Sequence, residues 1–176
     1  DKYRERCVPL MKQNLYERLI QYILENQERF YRIAYSYTGH QEDALDVVQT
    51  AVCKALESYE TIRNEDAVRT WFYRILVNEC LVVLNKRKKL VLLEDYTEQE
   101  ETYIENGYEQ EADIWDELNR LEPDVQGIIR LRFFEELPLK DIACITGMNL
   151  STVKTKLYRG LKLLKENIQE ADLWVD

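Results

Sequence analysis

Between Glu94 and Glu117 the chain carries eleven carboxylates and not one lysine or arginine. Such a run repels itself, and after Leu93 it holds few aliphatic side chains, so the apolar surface it can bury does not offset the entropy of ordering it. A chain of 176 residues interrupted in this way has to build its cores on either side of the interruption. Residues 90–112 are therefore expected to be an acidic, flexible linker, with one domain over 12–89 and a second over 113–172. Residues 1–11, which mix charges and end at Met11, are expected to be a tag or N-terminal extension and lack the pattern of a secretory leader.

Outside the linker the apolar spacing is helical, and no alternating strand pattern bounded by turn residues occurs. Leu15, Leu19, Tyr22 and Ile23 share a face. Phe30, Ile33, Ala34 and Tyr37 form a second stripe, closed by Gly39 at a left-handed C-terminal cap. Leu45, Val48, Val52, Leu56 and Tyr59 form a third. After a polar stretch, Glu60–Glu65, Asp66 is the expected N-cap of a helix carrying Phe72, Ile75, Leu76, Val82 and Val83 and running to about Lys89. Periodicity resumes at Ile114, Trp115, Leu118 and Leu121. Pro123 suits a first helical position, and Val125, Ile128, Ile129 and Phe133 continue a buried stripe. With only five Gly and three Pro, the chain has few breaks. The expected fold class is all-α: two small helical domains on a flexible acidic linker.

Net charge is −9, which taken alone argues against nucleic acid. Setting the acidic run aside leaves the remainder at +2, and two segments are basic: Arg69–Lys89 with six cations and one acid, and Met148–Lys165 with five cations and none. Positive potential concentrated on two short segments is what phosphate binding requires. Several other functions are disfavoured. No apolar run reaches membrane-spanning length. The four cysteines, Cys7, Cys53, Cys80 and Cys144, form no CxxC pair, and His40 is the lone histidine, so no metal site and no cofactor is expected; buried free thiols are the simpler reading. The chain has no phosphate-binding glycine loop, HExxH or GxSxG. Most carboxylates lie on the linker, too loosely held for catalysis, so no catalytic residues and no small-molecule substrate are expected.

Leu139–Gly160 reads LKDIACITGMNLSTVKTKLYRG and fits a helix-turn-helix. Ala143 is small where two helices cross, and Gly147 can take the positive φ of the turn. Ile142, Met148, Leu150, Val153 and Leu157 supply a shared core, with Ser151 the expected N-cap. The second helix then offers Ser151, Thr152, Lys154, Thr155, Lys156, Tyr158 and Arg159, hydroxyls and cations of the kind that contact bases and phosphates in a major groove. A solvated helix with basic residues toward its C-terminal end would share some of these features, but the Ala–Gly–Val spacing within an acid-free run favours DNA.

Arg69–Lys89 reads RTWFYRILVNECLVVLNKRKK. Arg74, Asn78, Asn85 and Lys88 follow one helical stripe, interrupted by Leu81. Trp71, Phe72 and Tyr73 diverge within one turn, so at least one lies off the core. Aromatic faces beside cations suit unstacked single-stranded bases; core aromatics followed by a basic helix end would look the same, and the residues alone leave both open. Asp43, Asp46, Gln49 and Thr50 form a polar stripe on the preceding helix, suited either to docking on a basic protein or to solvent.

Three segments in this order and separation, DALDVVQTAVCKAL (Asp43–Leu56), RTWFYRILVNECL (Arg69–Leu81) and the helix-turn-helix, resemble the extracytoplasmic-function sigma factors of bacterial RNA polymerase. The resemblance covers about Leu15–Lys89 and Ala112–Ile168. It implies that Asp43, Asp46, Val47 and Gln49 dock on the clamp helices of the largest polymerase subunit. It places Glu60–Ala67, with Asn64, in the loop that captures a flipped base of the −10 element. Arg69, Trp71, Arg74, Asn78, Lys86, Arg87 and Lys88 would lie along that element. Ser151, Thr152, Lys154, Thr155, Lys156, Tyr158 and Arg159 would read the −35 element while the domain rests on the polymerase flap. The linker would run toward the RNA exit path. The sequence departs from the family in having no acid near Val82, no arginine at Asn85 and lysine in place of a frequent arginine at Lys156, which trades a bidentate fork for a point charge. The family further implies an anti-sigma partner, often membrane-anchored, and cytoplasmic action. The alternative is a helix-turn-helix regulator that binds duplex DNA without polymerase; a basic aromatic helix in the first domain has no purpose there.

Overall fold

The computed structural model describes residues 10–94 and 116–172, and every regular element among them is helical. The chain divides into two compact units, Asp1–Lys86 and Arg87–Asp176.

In the first unit, α1 (Leu10–Glu25) buries Leu15, Leu19 and Ile23, spaced by four residues. Asn26 makes the tight joint to α2 (Gln27–Thr38). Its side-chain amide donates to the Tyr22 carbonyl at 2.8 Å, and its own carbonyl accepts from the Phe30 N–H at 3.0 Å. α2 buries Phe30, Ile33, Ala34 and Tyr37 and ends on Gly39 at φ 68°, where the Gly39 N–H closes the last turn onto Tyr35. That positive φ costs glycine nothing and would strain other residues.

α3 (Gln41–Ser58) departs from the expected face. The buried residues are Ala44, Val47, Ala51 and Ala55, one position before each member of the Leu45, Val48, Val52, Leu56 stripe. Leu45 is 45% exposed, while Val48, Val52 and Leu56 are half-buried. Both stripes have helical spacing, so periodicity alone did not separate them. The alanine face wins because small side chains let α3 lie close against α2, where Phe30 and Ile33 already occupy the space.

A short 3-10 turn, Tyr59–Thr61, packs Tyr59 edge-on against Tyr16 of α1. A second, Glu65–Ala67, leads into α4 (Val68–Glu94). The cap here is Asn64, not Asp66: the Asn64 side-chain oxygen accepts the Asp66 N–H at 3.1 Å, and its carbonyl accepts the Ala67 N–H at 3.0 Å. α4 buries Val68, Phe72, Tyr73, Leu76, Val77 and Cys80. Phe30 sits at the centre of the core, its ring 4.4 Å from Phe72 and 5.6 Å from both Tyr22 and Tyr73. Lys54 of α3 and Glu79 of α4 form an ion pair across the surface of the unit.

In the second unit a helical stretch at 116–120 places Leu118 in the core. α5 (Pro123–Phe133) starts with Pro123 in its first turn and buries Val125, Ile128, Ile129 and Leu131. Phe133 does not continue that stripe. It is 55% exposed, because the chain turns immediately afterwards and buries Leu137 instead. Glu136 at φ 51° and the Leu137 N–H donating to the Leu131 carbonyl at 3.1 Å define this turn. Arg130 is buried at 2% exposure. Its guanidinium donates to Gln126 at 2.8 Å and to Asn119 at 2.9 Å, tying α5 to the preceding stretch.

α6 (Leu139–Thr146) buries Ile142 and Ile145 and ends on Gly147 at φ 73°. α7 (Leu150–Asp172) follows. Its cap is Asn149, whose side-chain oxygen accepts the Thr152 N–H at 2.8 Å; Ser151 lies exposed in the first turn and caps nothing. Val153, Leu157, Gly160 and Leu164 face inward. At Gly160 a Cβ would lie 2.3 Å from Val125 Cγ1 and 3.0 Å from Ile129 Cδ1, so α7 crosses α5 at a distance only glycine permits.

Among the described cysteines the expectation of buried thiols holds for Cys80, while Cys53 and Cys144 are exposed on α3 and α6. Cys7, residues 95–112 of the expected linker, and Ile114 and Trp115 lie outside the described residues, while positions 90–94 of that linker continue α4.

Candidate nucleic-acid and partner interfaces

The first unit offers two surfaces. On α3, Asp46 and Gln49 are exposed and Asp43 is half-buried. Val47 is only 2% exposed, so its side chain serves the core and has no area to give to a partner. The displaced apolar stripe does have area. Leu45, Val48 and Val52 line a groove of about 890 Å³ with Leu24, Phe30 and Tyr31 on its other side, and Leu24 is 61% exposed. Sequence reasoning missed this groove because it assigned the larger residues of α3 to the core. The signal was present in the alanines at 44, 51 and 55, which mark the tightly packed face.

The second surface runs along α4. At 100° per residue, positions 71, 74, 78, 81, 85 and 88 fall within about 100° of arc. Arg74, Asn78, Asn85 and Lys88 are exposed, with Leu81 and Trp71 half-buried among them. Of the three consecutive aromatics, Phe72 and Tyr73 enter the core and Trp71 is the one left at the surface. A half-buried indole has a fixed orientation and an open face, as base stacking requires. Arg69 and Lys86 are exposed off this strip, and Asn64 is exposed in the loop before the helix. Arg87 is half-buried; desolvation draws its guanidinium below its ordinary pKa, though an arginine so placed still carries its charge. Beside Asn78 a shallow pocket of about 340 Å³ is lined by Lys54, Ser58, Ile75 and Glu79. Lys54 and Ser58 were not legible as part of this surface, since 20 or more residues of chain separate them from Asn78.

In the second unit, α7 presents Ser151, Lys154, Thr155, Tyr158 and Arg159 to solvent and Thr152 at its edge. Hydroxyls and amide N–H groups of the first turn lie at the positive end of the helix, with Lys154 and Arg159 adding formal charge. Lys156 differs from its neighbours. It is 27% exposed and lies 3.0 Å from Asp124 and 4.0 Å from Glu122, both at the start of α5. Arg159, more exposed, lies 3.8 Å from Glu122. Among the described residues no helix is long and apolar enough to cross a membrane, and no group of three His, Cys, Asp or Glu side chains is placed to hold a metal ion.

Comparison with known proteins matches two family descriptions, Sigma-70 region 2 over residues 22–90 and Sigma-70, region 4 over residues 111–164. The RNA polymerase sigma factor SigV of Bacillus subtilis is 41% identical over 162 residues, covering 92% of this chain and 98% of that protein. An RNA polymerase sigma-E factor of Streptomyces coelicolor is 30% identical over 157 residues, covering 87% of each. Among solved structures, the sigma factor RpoE in complex with the anti-sigma factor NepR from Bartonella quintana superposes with a TM-score of 0.71 at 25% identity, over 85% of this chain and 95% of that one. CnrH in complex with the cytosolic domain of CnrY gives 0.67 at 19% identity over 88% of each chain, a likeness of fold.

Proposed function

The chain belongs to the extracytoplasmic-function sigma factors of RNA polymerase, and on that premise we propose how its surfaces divide the work of promoter recognition. Asp43, Asp46, Gln49 and the groove edged by Leu45, Val48 and Val52 dock on the polymerase: an apolar groove with Glu28, Arg32 and Gln49 among its lining residues suits a helical partner, and the exposed Asp46 on the same helix suits basic residues beside it. The α4 strip, with Asn64 ahead of it, holds unstacked non-template bases of the −10 element. Trp71 supplies a stacking face, Asn78 an amide for base edges, and Arg74, Lys86, Arg87 and Lys88 the phosphate charge. α7 enters the upstream duplex at the −35 element through Ser151, Thr152, Lys154, Thr155, Tyr158 and Arg159. Each contact is modest alone, and linking two of them raises the effective affinity of the whole. The polymerase makes and breaks the bonds; this chain contributes binding energy toward the unstacking of bases, a few kcal/mol per step.

The observation that carries this reading is the exposed strip on α4. A chain with net charge −9 keeps an aromatic, two amides and two cations on one face of α4, and a regulator acting on duplex DNA alone has no use for that face. An anti-sigma factor is proposed as the regulatory partner. The sigma factor RpoE of this fold is bound to the anti-sigma factor NepR, and CnrH to the cytosolic domain of CnrY, and the exposed groove on α3 is a surface such a partner would cover. Action in the cytoplasm, with sequestration at the membrane through that partner, follows from the same reading.

The test is run-off transcription by core RNA polymerase with and without the chain on a promoter library. Promoter-dependent initiation is expected, and Leu45→Arg with Asp46→Lys, both at exposed positions, should abolish recovery of core enzyme in a pull-down. Sequence-specific duplex binding with no dependence on core enzyme would replace this reading with that of a free-standing regulator.

A further inference from the structure

Lys156 lies in the second turn of a helix whose other cations face solvent, yet it is held by two carboxylates from the start of α5. Its Nζ is 3.0 Å from Asp124 and 4.0 Å from Glu122. Glu122 precedes the first residue of α5 and Asp124 lies in its first turn, at the positive end of the helix dipole, where acidic side chains are favoured. One turn further along α7 comes Gly160, the point at which α7 is pressed onto Val125 and Ile129. Lys156 therefore borders the face of α7 that packs on α5. Lys154 lies on the other flank of that face, exposed and without a recorded ion pair among the described residues.

We propose that Glu122 and Asp124 clamp Lys156 to fix the rotation of the recognition helix, making Lys156 a positioning residue and leaving DNA contact to its neighbours, with Arg159 passing from Glu122 to a phosphate on binding. This rests on the reading of α7 as the −35 recognition helix. Glycine at the crossing lets the helices touch but offers no side chain to resist twisting, which leaves that to the buried Val153, Leu157 and Leu164 and to the ion pairs of Lys156 at the edge of the face. With side chains reaching about 5–6 Å from the axis, a rotation of 20° displaces their tips by about 2 Å, enough to lose a hydrogen bond. A lysine tied to two carboxylates at the DNA end of the contact opposes that rotation. The clamp also separates two properties that one cation would otherwise combine: Lys156 shapes the reading surface and adds nothing to counterion release.

Two measurements on the full chain test this. The first is amide hydrogen exchange over Val153–Leu157. Lys156→Gln and Asp124→Asn should each reduce protection about two- to five-fold, as expected for a partly exposed pair, and the double variant should lose clearly less than the two single losses combined. The second is the salt dependence of promoter binding by holoenzyme assembled from each variant. Lys154→Gln and Arg159→Gln should each lower the slope of log affinity against log salt by about 0.9, the value of one lost phosphate contact. Lys156→Gln should weaken binding several-fold with the slope unchanged, and Lys156→Arg should bind as the parent does. A slope reduced by Lys156→Gln as much as by Lys154→Gln, or single losses of protection that add in full in the double variant, overturns the clamp. If Lys154→Gln and Arg159→Gln both leave the slope unaltered, the recognition-helix reading fails instead, and the exchange data decide the clamp independently.

Discussion

Replacing Gly160 by alanine sets two well-known effects against each other, and the structure says which prevails. Alanine is favoured over glycine inside a helix by about 1 kcal/mol. The new methyl, however, would lie 2.3 Å from Val125 Cγ1 and 3.0 Å from Ile129 Cδ1. Comfortable carbon–carbon contact is about 3.5–4.0 Å, so the first approach is short by more than 1 Å. Val125 is β-branched within a helix and has one favoured χ1, so the strain passes to the backbones of α5 and α7. Overpacking of this kind costs about 1–3 kcal/mol, leaving a net loss of up to about 2 kcal/mol after the propensity gain. For a unit of this size that lowers the thermal midpoint by up to about 15 °C. The check is thermal unfolding of the full chain by circular dichroism, with Val125→Ala added to open the space the methyl needs. The double variant should be more stable than the sum of the single losses allows, with a coupling of about 1 kcal/mol or more. If Gly160→Ala unfolded above the parental temperature and Val125→Ala showed no coupling to it, the two helices would not be in contact at that position, and the account of how the recognition helix is seated would be wrong.

Three further outcomes follow from particular contacts. Asn149→Ala removes the acceptor of the Thr152 N–H and should cost about 1 kcal/mol by chemical denaturation, while Asn149→Asp should keep most of it. Arg130→Lys gives one ammonium where a fork reaches both Gln126 and Asn119, so a loss of about 2 kcal/mol in the same assay is expected, with lesser damage indicating that the fork is not needed. Trp71→Ala should leave the Phe30–Phe72 core intact yet reduce promoter opening, read by permanganate reactivity of the −10 element, about tenfold, as the loss of one stacked base of roughly 1–3 kcal/mol implies.

Helical fold class, the two stripes of α1 and α2, the glycine caps at Gly39 and Gly147 and the first-turn proline of α5 were all legible before any coordinates. They depend on residues within one or two turns of each other, and local periodicity reports such relations faithfully. The helix starts were harder. Asn64 and Asn149 cap their helices two residues ahead of the hydroxyl or carboxyl side chains expected to do so, because a 3-10 turn or a glycine turn shifts the start and the sequence offers several polar side chains within reach.

The amino-acid sequence on its own determined that this chain is helical, that it builds cores on either side of an acidic run, and that its positive charge is gathered on α4 and α7. Only the tertiary structure decided how each helix is turned about its axis and what its surface residues meet. α3 buries its alanines and shows its leucine and valines because a spacing of three and four fits both faces, and the choice between them is made by the volume α2 leaves free. Lys156 meets Asp124 across 32 residues of chain, a distance over which sequence pattern carries no information and only the crossing of α7 on α5 does.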